Sequence, residues 1–217
     1  MRTFVIGDIH GQVYALEECL ELSGFDNDND RLICLGDVCD RGIYIKESFD
    51  LLTGIKNLTY ILGNHDIWFL DWAVKGEEDP FWYSFEGVQT VKSYKEGIPQ
   101  SHLELLNNAK MYHIENNKLF VHAGFDLSKP LNEQSMYELT LNRGLIKNAM
   151  SRCSEKGARL SPFDEIYVGH TPTVHYGTEE PINACELWML DTGAGWGYKL
   201  TIMDIETKEF WQSGNVK

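Results

Sequence analysis

The stretch Arg31–Gly42, RLICLGDVCDRG, drives an apolar segment into two aspartates and an arginine held between two glycines. A short apolar run closed by Gly-Asp reads as a strand buried on both faces, with polar side chains massed at its carboxyl end. The same cadence surrounds it. TFVIGD (Thr3–Asp8) reads as a preceding strand, and VYALEECLELSG (Val13–Gly24) carries apolar residues at helical spacing with a glycine stop. IKESFDLLTGI (Ile45–Ile55) reads as a second helix and LTYILGN (Leu58–Asn64) as a third strand. This β-α-β-α-β series predicts an α/β fold with mainly parallel strands, helices on the faces, and ligand sites beyond the carboxyl ends of the strands.

From Ile67 to about Asn117 the pattern loosens into a segment rich in Trp, Tyr and Phe, which predicts a helical insertion. Such residues can form a lid, but at helical spacing they more often pack a core, and core is the expectation. Strand character returns in KLFVHAG (Lys118–Gly124), followed by one helix through SMYELTLNRGLIKNAMSR (Ser135–Arg152) and a strand in EIYVGH (Glu165–His170). The tail, Glu186–Ser213, alternates like antiparallel strands around a Gly-rich turn. With no internal repeat, low-complexity tract or linker, residues 1–217 are expected to form one domain.

Composition narrows the function. Lys+Arg of 19 against Asp+Glu of 33 gives a net charge of −14, which disfavours nucleic acid and anionic membranes as partners. The five cysteines are odd in number and form no CxxC pair, so neither a disulfide framework nor a structural zinc site is indicated, and a reducing, cytoplasmic setting is expected. No apolar run is long enough to cross a bilayer, and the N-terminus opens directly on a strand.

Five apolar runs end alike. TFVIGDIHG, LICLGDVCDRG, TYILGNHD, LFVHAG and IYVGH each finish with Asp, Asn or His beside a glycine that lets the backbone turn and aim the next side chain into a shared crevice. A lone histidine at such a place is more often a hydrogen-bonded structural residue, but five coincidences at one topological position point to metal binding. Asp8, His10, Asp37, Asn64, His122 and His170 offer carboxylate, amide oxygen and imidazole without thiolate, which suits Mn, Fe or Zn and not calcium. Six ligands exceed what one catalytic ion with open positions can use; they suit two divalent ions bridged by a carboxylate, able to activate a water and clamp a phosphoryl group.

GDIHG, GDVCDRG and GNHD, followed by VHAG and GH, resemble in order and spacing the metallophosphoesterase superfamily, and within it the phosphoprotein phosphatases, more the bacterial and phage members than the eukaryotic catalytic subunits. The resemblance implies a calcineurin-like four-layer α/β/β/α sandwich. It places Asp8 and His10 on a first metal, Asn64, His122 and His170 on a second, and Asp37 between them, with manganese favoured and iron or zinc compatible. It makes His65 the general acid and Asp40 its partner, and it assigns Arg41, Arg143 and Asn64 to the substrate phosphate. Arg152 and Arg159 are rivals to Arg143, read as surface residues. The implied reaction is direct phosphomonoester hydrolysis by a metal-bound hydroxide, without a phosphoenzyme.

The GHTP element (Gly169–Pro172) and the chain length favour a phosphoserine or phosphothreonine protein or peptide as substrate. The alternative is symmetric diadenosine tetraphosphate hydrolysis, and a distant third a non-catalytic phospho-binding module, which the full ligand set argues against. GNHD departs from the commoner GNHE by one methylene at Asp66. Cys39, inside GDVCDRG, is read as a small buried filler in preference to a redox-sensitive thiol, and Cys34 as core. His102, His113 and His175 fall in no ligand motif and are read as surface or structural residues.

Overall fold

Alternate residues of the first strand, β1 (Thr3–Ile6), serve two different cores: Phe4 and Ile6 face one, Val5 the other. Burial on both sides is why the strand reads as an unbroken apolar run. The computed structural model describes residues 1–76, 79–155 and 157–216, so Glu77 and Glu78 of the expected insertion lie outside the described residues.

The chain continues through α1 (Val13–Leu22), β2 (Arg31–Cys34), α2 (Ile45–Thr53) and β3 (Leu58–Tyr60). Helix α2 buries Ile45, Ser48, Phe49 and Leu52, the stripe of an amphipathic helix. Then come α3 (Asn64–Lys75), α4 (Pro80–Trp82), a π-helical turn (Tyr83–Gly87) that leads directly into α5 (Val88–Ser93), and α6 (Gln100–Asn107). The second half supplies β4 (Tyr112–Glu115), β5 (Lys118–Val121), α7 (Met136–Leu141), α8 (Gly144–Arg152), β6 (Glu165–Val168), β7 (Ile182–Ala184), β8 (Leu187–Met189), β9 (Thr201–Asp204) and β10 (Phe210–Gln212).

Two five-stranded mixed sheets result, ordered β10-β9-β1-β2-β3 and β4-β5-β6-β8-β7. β1, β2 and β3 run parallel, as do β5, β6 and β8, while the outer strands pair antiparallel. Val5, Ile33, Leu35, Ile61, Phe120, Tyr167, Leu190 and Met203 fill the space between the sheets, where the Phe120 and Tyr167 rings stack 4.9 Å apart. The outer face of the first sheet is covered by apolar residues of α1, α2, α3 and α6, and that of the second by Leu139, Leu145, Ile146 and Ala149 of α7 and α8. The order of layers is α/β/β/α, as the motif resemblance implied.

Three local expectations need correction. The helix expected over Ser135–Arg152 is two helices. Asn142 is extended (φ −74°, ψ 114°) and its side-chain oxygen accepts the Gly144 N–H at 2.6 Å, a local bond that competes with the helical ladder. The tail is not one antiparallel set: β8 lies in the second sheet beside β6 and β7, whereas β9 and β10 lie in the first. The Gly-rich segment between them is a crossover between sheets. Finally, the segment expected to be helical ends in strand β4, because Tyr112–Glu115 pairs with β5. No helix of the described residues is long and apolar enough to cross a membrane.

Candidate active site

Asp8 and His10 follow β1, Asp37 follows β2, Asn64 opens α3 after β3, His122 follows β5 and His170 follows β6, and all six side chains are buried. His10, Asp37, Asp40, Arg41 and His170 have left-handed backbones, with φ of 48°, 51°, 67°, 63° and 62°. For non-glycine residues such conformations cost on the order of 1–3 kcal/mol each, and their concentration here marks a site rather than a scaffold. Two glycines permit close approach of backbone to carboxylate: a Cβ at Gly63 would fall on Asp37 Oδ1, and one at Gly169 on Asp8 Oδ1.

Asp37 is the centre. Its Oδ2 lies 3.3 Å from His122 Nε2, 3.9 Å from His65 Nε2 and 4.0 Å from His10 Nε2, while its Oδ1 accepts the His65 backbone N–H at 2.9 Å. Two clusters able to hold a cation, His10–Asp37–His65 and Asp37–His122–His170, share this one carboxylate. Asp8 stands outside both clusters, and the Asn64 amide adjoins the second. Both Asp8 oxygens face the His170 backbone N–H at 3.1 Å, and Asn64 Oδ1 lies 3.2 Å from His122 Nε2. His65, which the resemblance makes the acid and not a ligand, stands in the first cluster.

The ring orientations fit metal ligation. His10 Nδ1 donates to the Cys39 carbonyl at 2.8 Å and His122 Nδ1 to the Leu35 carbonyl at 2.7 Å, which turns each Nε2 toward Asp37. His170 Nε2 is buried without a hydrogen-bond partner, a costly state for a polar atom and the state of a ligand nitrogen. The electrostatics agree. Burial, reinforced by Asp191, holds the Asp8 carboxyl well above its ordinary range, and burial pushes Asp191 up to about 6. Burial works against charge on His122 as well, but Asp37 outweighs it and raises the imidazole to about 10. Burial lowers His10 well below its usual value, helped by His65 and Arg41, and with His122 it lowers His170 to about 3. Crowded buried carboxylates and the neutral imidazoles of His10 and His170 are what divalent cations require, while His122, charged beside Asp37, gives up its proton on binding one.

Beside this centre, His65 Nδ1 lies 2.7 Å from Asp40 Oδ2. Burial pulls the His65 pKa down, but Asp37 and Asp40 together leave it raised. Asp40 is held in turn by residues outside the sequence motifs: Trp82 Nε1 donates to its Oδ2 at 2.8 Å, the Thr90 hydroxyl donates to its Oδ1, and its own N–H donates to Thr90 Oγ1 at 3.0 Å. Arg41 directs NH1 and NH2 at the Nε2 atoms of His10 and His65, 3.2 and 3.3 Å away, while its Nε donates to Glu86 and its guanidinium lies 4.2 Å above the Trp196 ring. Asp66, the shortened last residue of GNHD, accepts backbone N–H groups of Asp37, Val38 and Gly63 at 2.8, 3.1 and 3.0 Å. It holds the loop that carries the shared ligand.

Arg143 lines the same cavity and its Nε donates to Thr171 Oγ1 at 3.3 Å. Arg152 and Arg159 are engaged elsewhere, with Glu155 and the Phe163 carbonyl. His102 is a buried structural residue between Tyr94 and Asp50, His113 contacts Arg31 and Glu115, and His175 is exposed at the cavity edge. The cavity, about 730 Å³, is walled by Trp68, Trp72, Phe81, Trp82, Phe85 and Trp196. Trp82, Glu86 and Thr90 were hidden in the sequence because spacing by four is also the mark of an ordinary amphipathic helix.

Residues 1–191 match the family described as calcineurin-like phosphoesterase. The symmetrical bis(5'-nucleosyl)-tetraphosphatase of Coxiella burnetii is 26% identical over 281 residues, which span 98% of this chain and 92% of that protein. A crystal structure presented as a candidate diadenosine tetraphosphatase superposes with a TM-score of 0.75 at 19% identity, over 99% of this chain and 93% of that one. A serine/threonine phosphatase from Saccharomyces cerevisiae superposes with a TM-score of 0.62 at 14% identity, over 100% and 81%. The two structural likenesses carry the fold alone.

Proposed function

The chain belongs to the calcineurin-like phosphoesterase family, and on that premise we propose that it is a dinuclear-metal hydrolase acting on a dinucleoside polyphosphate, whose phosphoanhydride bond between the inner phosphates it cleaves with water to give two nucleoside diphosphates. The aromatic cavity supports this most. Phe81 and Phe85 are each 71% exposed and pack 4.8 Å apart, and Trp196 is 53% exposed, all lining the cavity that holds Arg41 and His65. A nucleobase offers a flat π-face to such rings, whereas a phosphoserine or phosphothreonine side chain offers none. The relatedness to a symmetrical bis(5'-nucleosyl)-tetraphosphatase points the same way.

Two divalent ions held by Asp8, His10, Asp37, Asn64, His122 and His170 would supply the positive charge that polarises the phosphoryl group and activates a water. The protein's own groups do the rest. Arg41 and Arg143 take phosphate oxygens, and His65 carries the proton for the departing oxygen, with Asp40 fixing its ring. Cys39 is the thiol within the motifs, and burial, with Asp40 and Asp66 beside it, drives its pKa well above the usual value. It is no nucleophile, which favours direct attack by water without a phosphoenzyme.

A phosphoprotein substrate is the second reading. A serine/threonine phosphatase shares the fold, and the cavity stays open at Phe81 and Phe85, both exposed, where a peptide could enter. The test is turnover of diadenosine tetraphosphate and a phosphothreonine peptide at equal concentration, with product analysis. Faster release of ADP from the dinucleotide is expected; faster dephosphorylation of the peptide would transfer the assignment to protein phosphatase, and no turnover of either would overturn the hydrolase reading.

A further inference from the structure

We propose that the segment Pro80–Ser93 is a clamp for the Asp40–Arg41 pair, and that Glu86 is the positioning residue that aims Arg41 at the substrate phosphate. The inference rests on Arg41 being a phosphate ligand, as proposed above.

Asp40 and Arg41 both have left-handed backbones, which their own loop does not favour. Three side chains from one helical segment engage them: Trp82 and Thr90 bond the Asp40 carboxylate, and Glu86 Oε2 accepts from Arg41 Nε at 2.8 Å. These residues lie four apart. In a purely α-helical run they would rotate progressively around the axis, and the wider π-helical turn at Tyr83–Gly87 offsets that drift and keeps all three on one face.

The consequence for Arg41 is geometric. Its Nε is taken by Glu86 and one guanidinium face is covered by Trp196, so the edge left to substrate is the NH1/NH2 fork, already turned toward His10 and His65. That fork matches two phosphate oxygens. The same carboxylate also places a negative charge near the bound anion, so Glu86 acts in two opposed ways: its hydrogen bond orients the arginine, and its charge weakens the anion's attraction. Glu86→Gln keeps an acceptor for Nε and removes the charge, while Glu86→Ala removes both.

The experiment is calorimetric titration of inorganic phosphate into manganese-loaded wild type, Glu86→Gln and Glu86→Ala, with KM and kcat measured beside it. A hydrogen bond to a charged group is worth enough that Glu86→Ala should weaken phosphate binding roughly ten-fold and raise KM more than it lowers kcat. Glu86→Gln, nearly isosteric at a partly exposed site, should bind phosphate about 2–5-fold more tightly than wild type. Unchanged affinity in Glu86→Ala, or equal weakening in both variants, would overturn the positioning role. If wild type itself neither binds phosphate nor cleaves a phosphoester, the premise about Arg41 falls, and this inference with it.

Discussion

Asp40 Oδ2 lies 2.7 Å from His65 Nδ1, and the Trp82 indole and Thr90 hydroxyl hold that carboxylate in place. An imidazole fixed in this way presents Nε2 to the cavity, and against the pull of burial the charges of Asp37 and Asp40 favour its protonated form. His65→Asn should therefore slow cleavage of an alkyl phosphate such as a phosphothreonine peptide by about 10²–10⁴-fold, the usual worth of general acid catalysis. With p-nitrophenyl phosphate, whose leaving group departs readily as an anion, the loss should be clearly smaller. His65 stands in the first ligand cluster, so metal content must be measured for each sample. If the metals stay and both substrates slow equally, His65 is not the acid.

Exposed rings at the cavity mouth should bind base rather than phosphate. Phe85→Ala is expected to raise KM for diadenosine tetraphosphate roughly ten-fold, since stacking on one aromatic side chain is worth about 1–3 kcal/mol. Free phosphothreonine should be turned over as before. An equal effect on both substrates would remove the nucleobase argument.

The thiols should divide by burial. Cys153 is exposed and Cys185 half-buried, whereas Cys19, Cys34 and Cys39 are enclosed. Burial raises the pKa of all three enclosed thiols. Titration of native protein with a thiol reagent should find Cys153 fast, Cys185 slower and the other three silent until denaturant is added. Rapid native labelling of Cys39 would contradict the packing around GDVCDRG.

Much of the fold was legible because its signals are local. An apolar run that ends in glycine and a metal-ligand residue needs no distant partner to be recognised, and of the expected ligands His10, His122 and His170 gather around Asp37, with Asn64 beside His122 and Asp8 beside the His170 backbone. What the chain could not disclose depended on partners far away. The alternation of Leu187–Met189 and Thr201–Asp204 looks alike, yet one strand pairs with β6 and the other with β1. The split at Asn142 turns on one side-chain bond to Gly144 that competes with helix formation. Trp82, Glu86 and Thr90 act on residues more than forty positions earlier, and their spacing by itself says only helix. Phosphoprotein was the favoured substrate on motif resemblance; the aromatic wall became visible only once Phe81, Phe85 and Trp196 were brought to one cavity.

Both cation clusters depend on Asp37, and the account stands or falls on that sharing. The direct measurement is metal content per chain, by elemental analysis, for wild type and Asp37→Asn after chelation and reloading with Mn²⁺, which imidazole ligands should favour over Mg²⁺. Two ions per chain are predicted for wild type, with activity restored on reloading, and impaired retention of both ions together in Asp37→Asn. One ion in wild type, full activity in chelator, or a variant that loses a single ion and keeps the other at wild-type affinity would contradict a dinuclear centre built around one shared carboxylate.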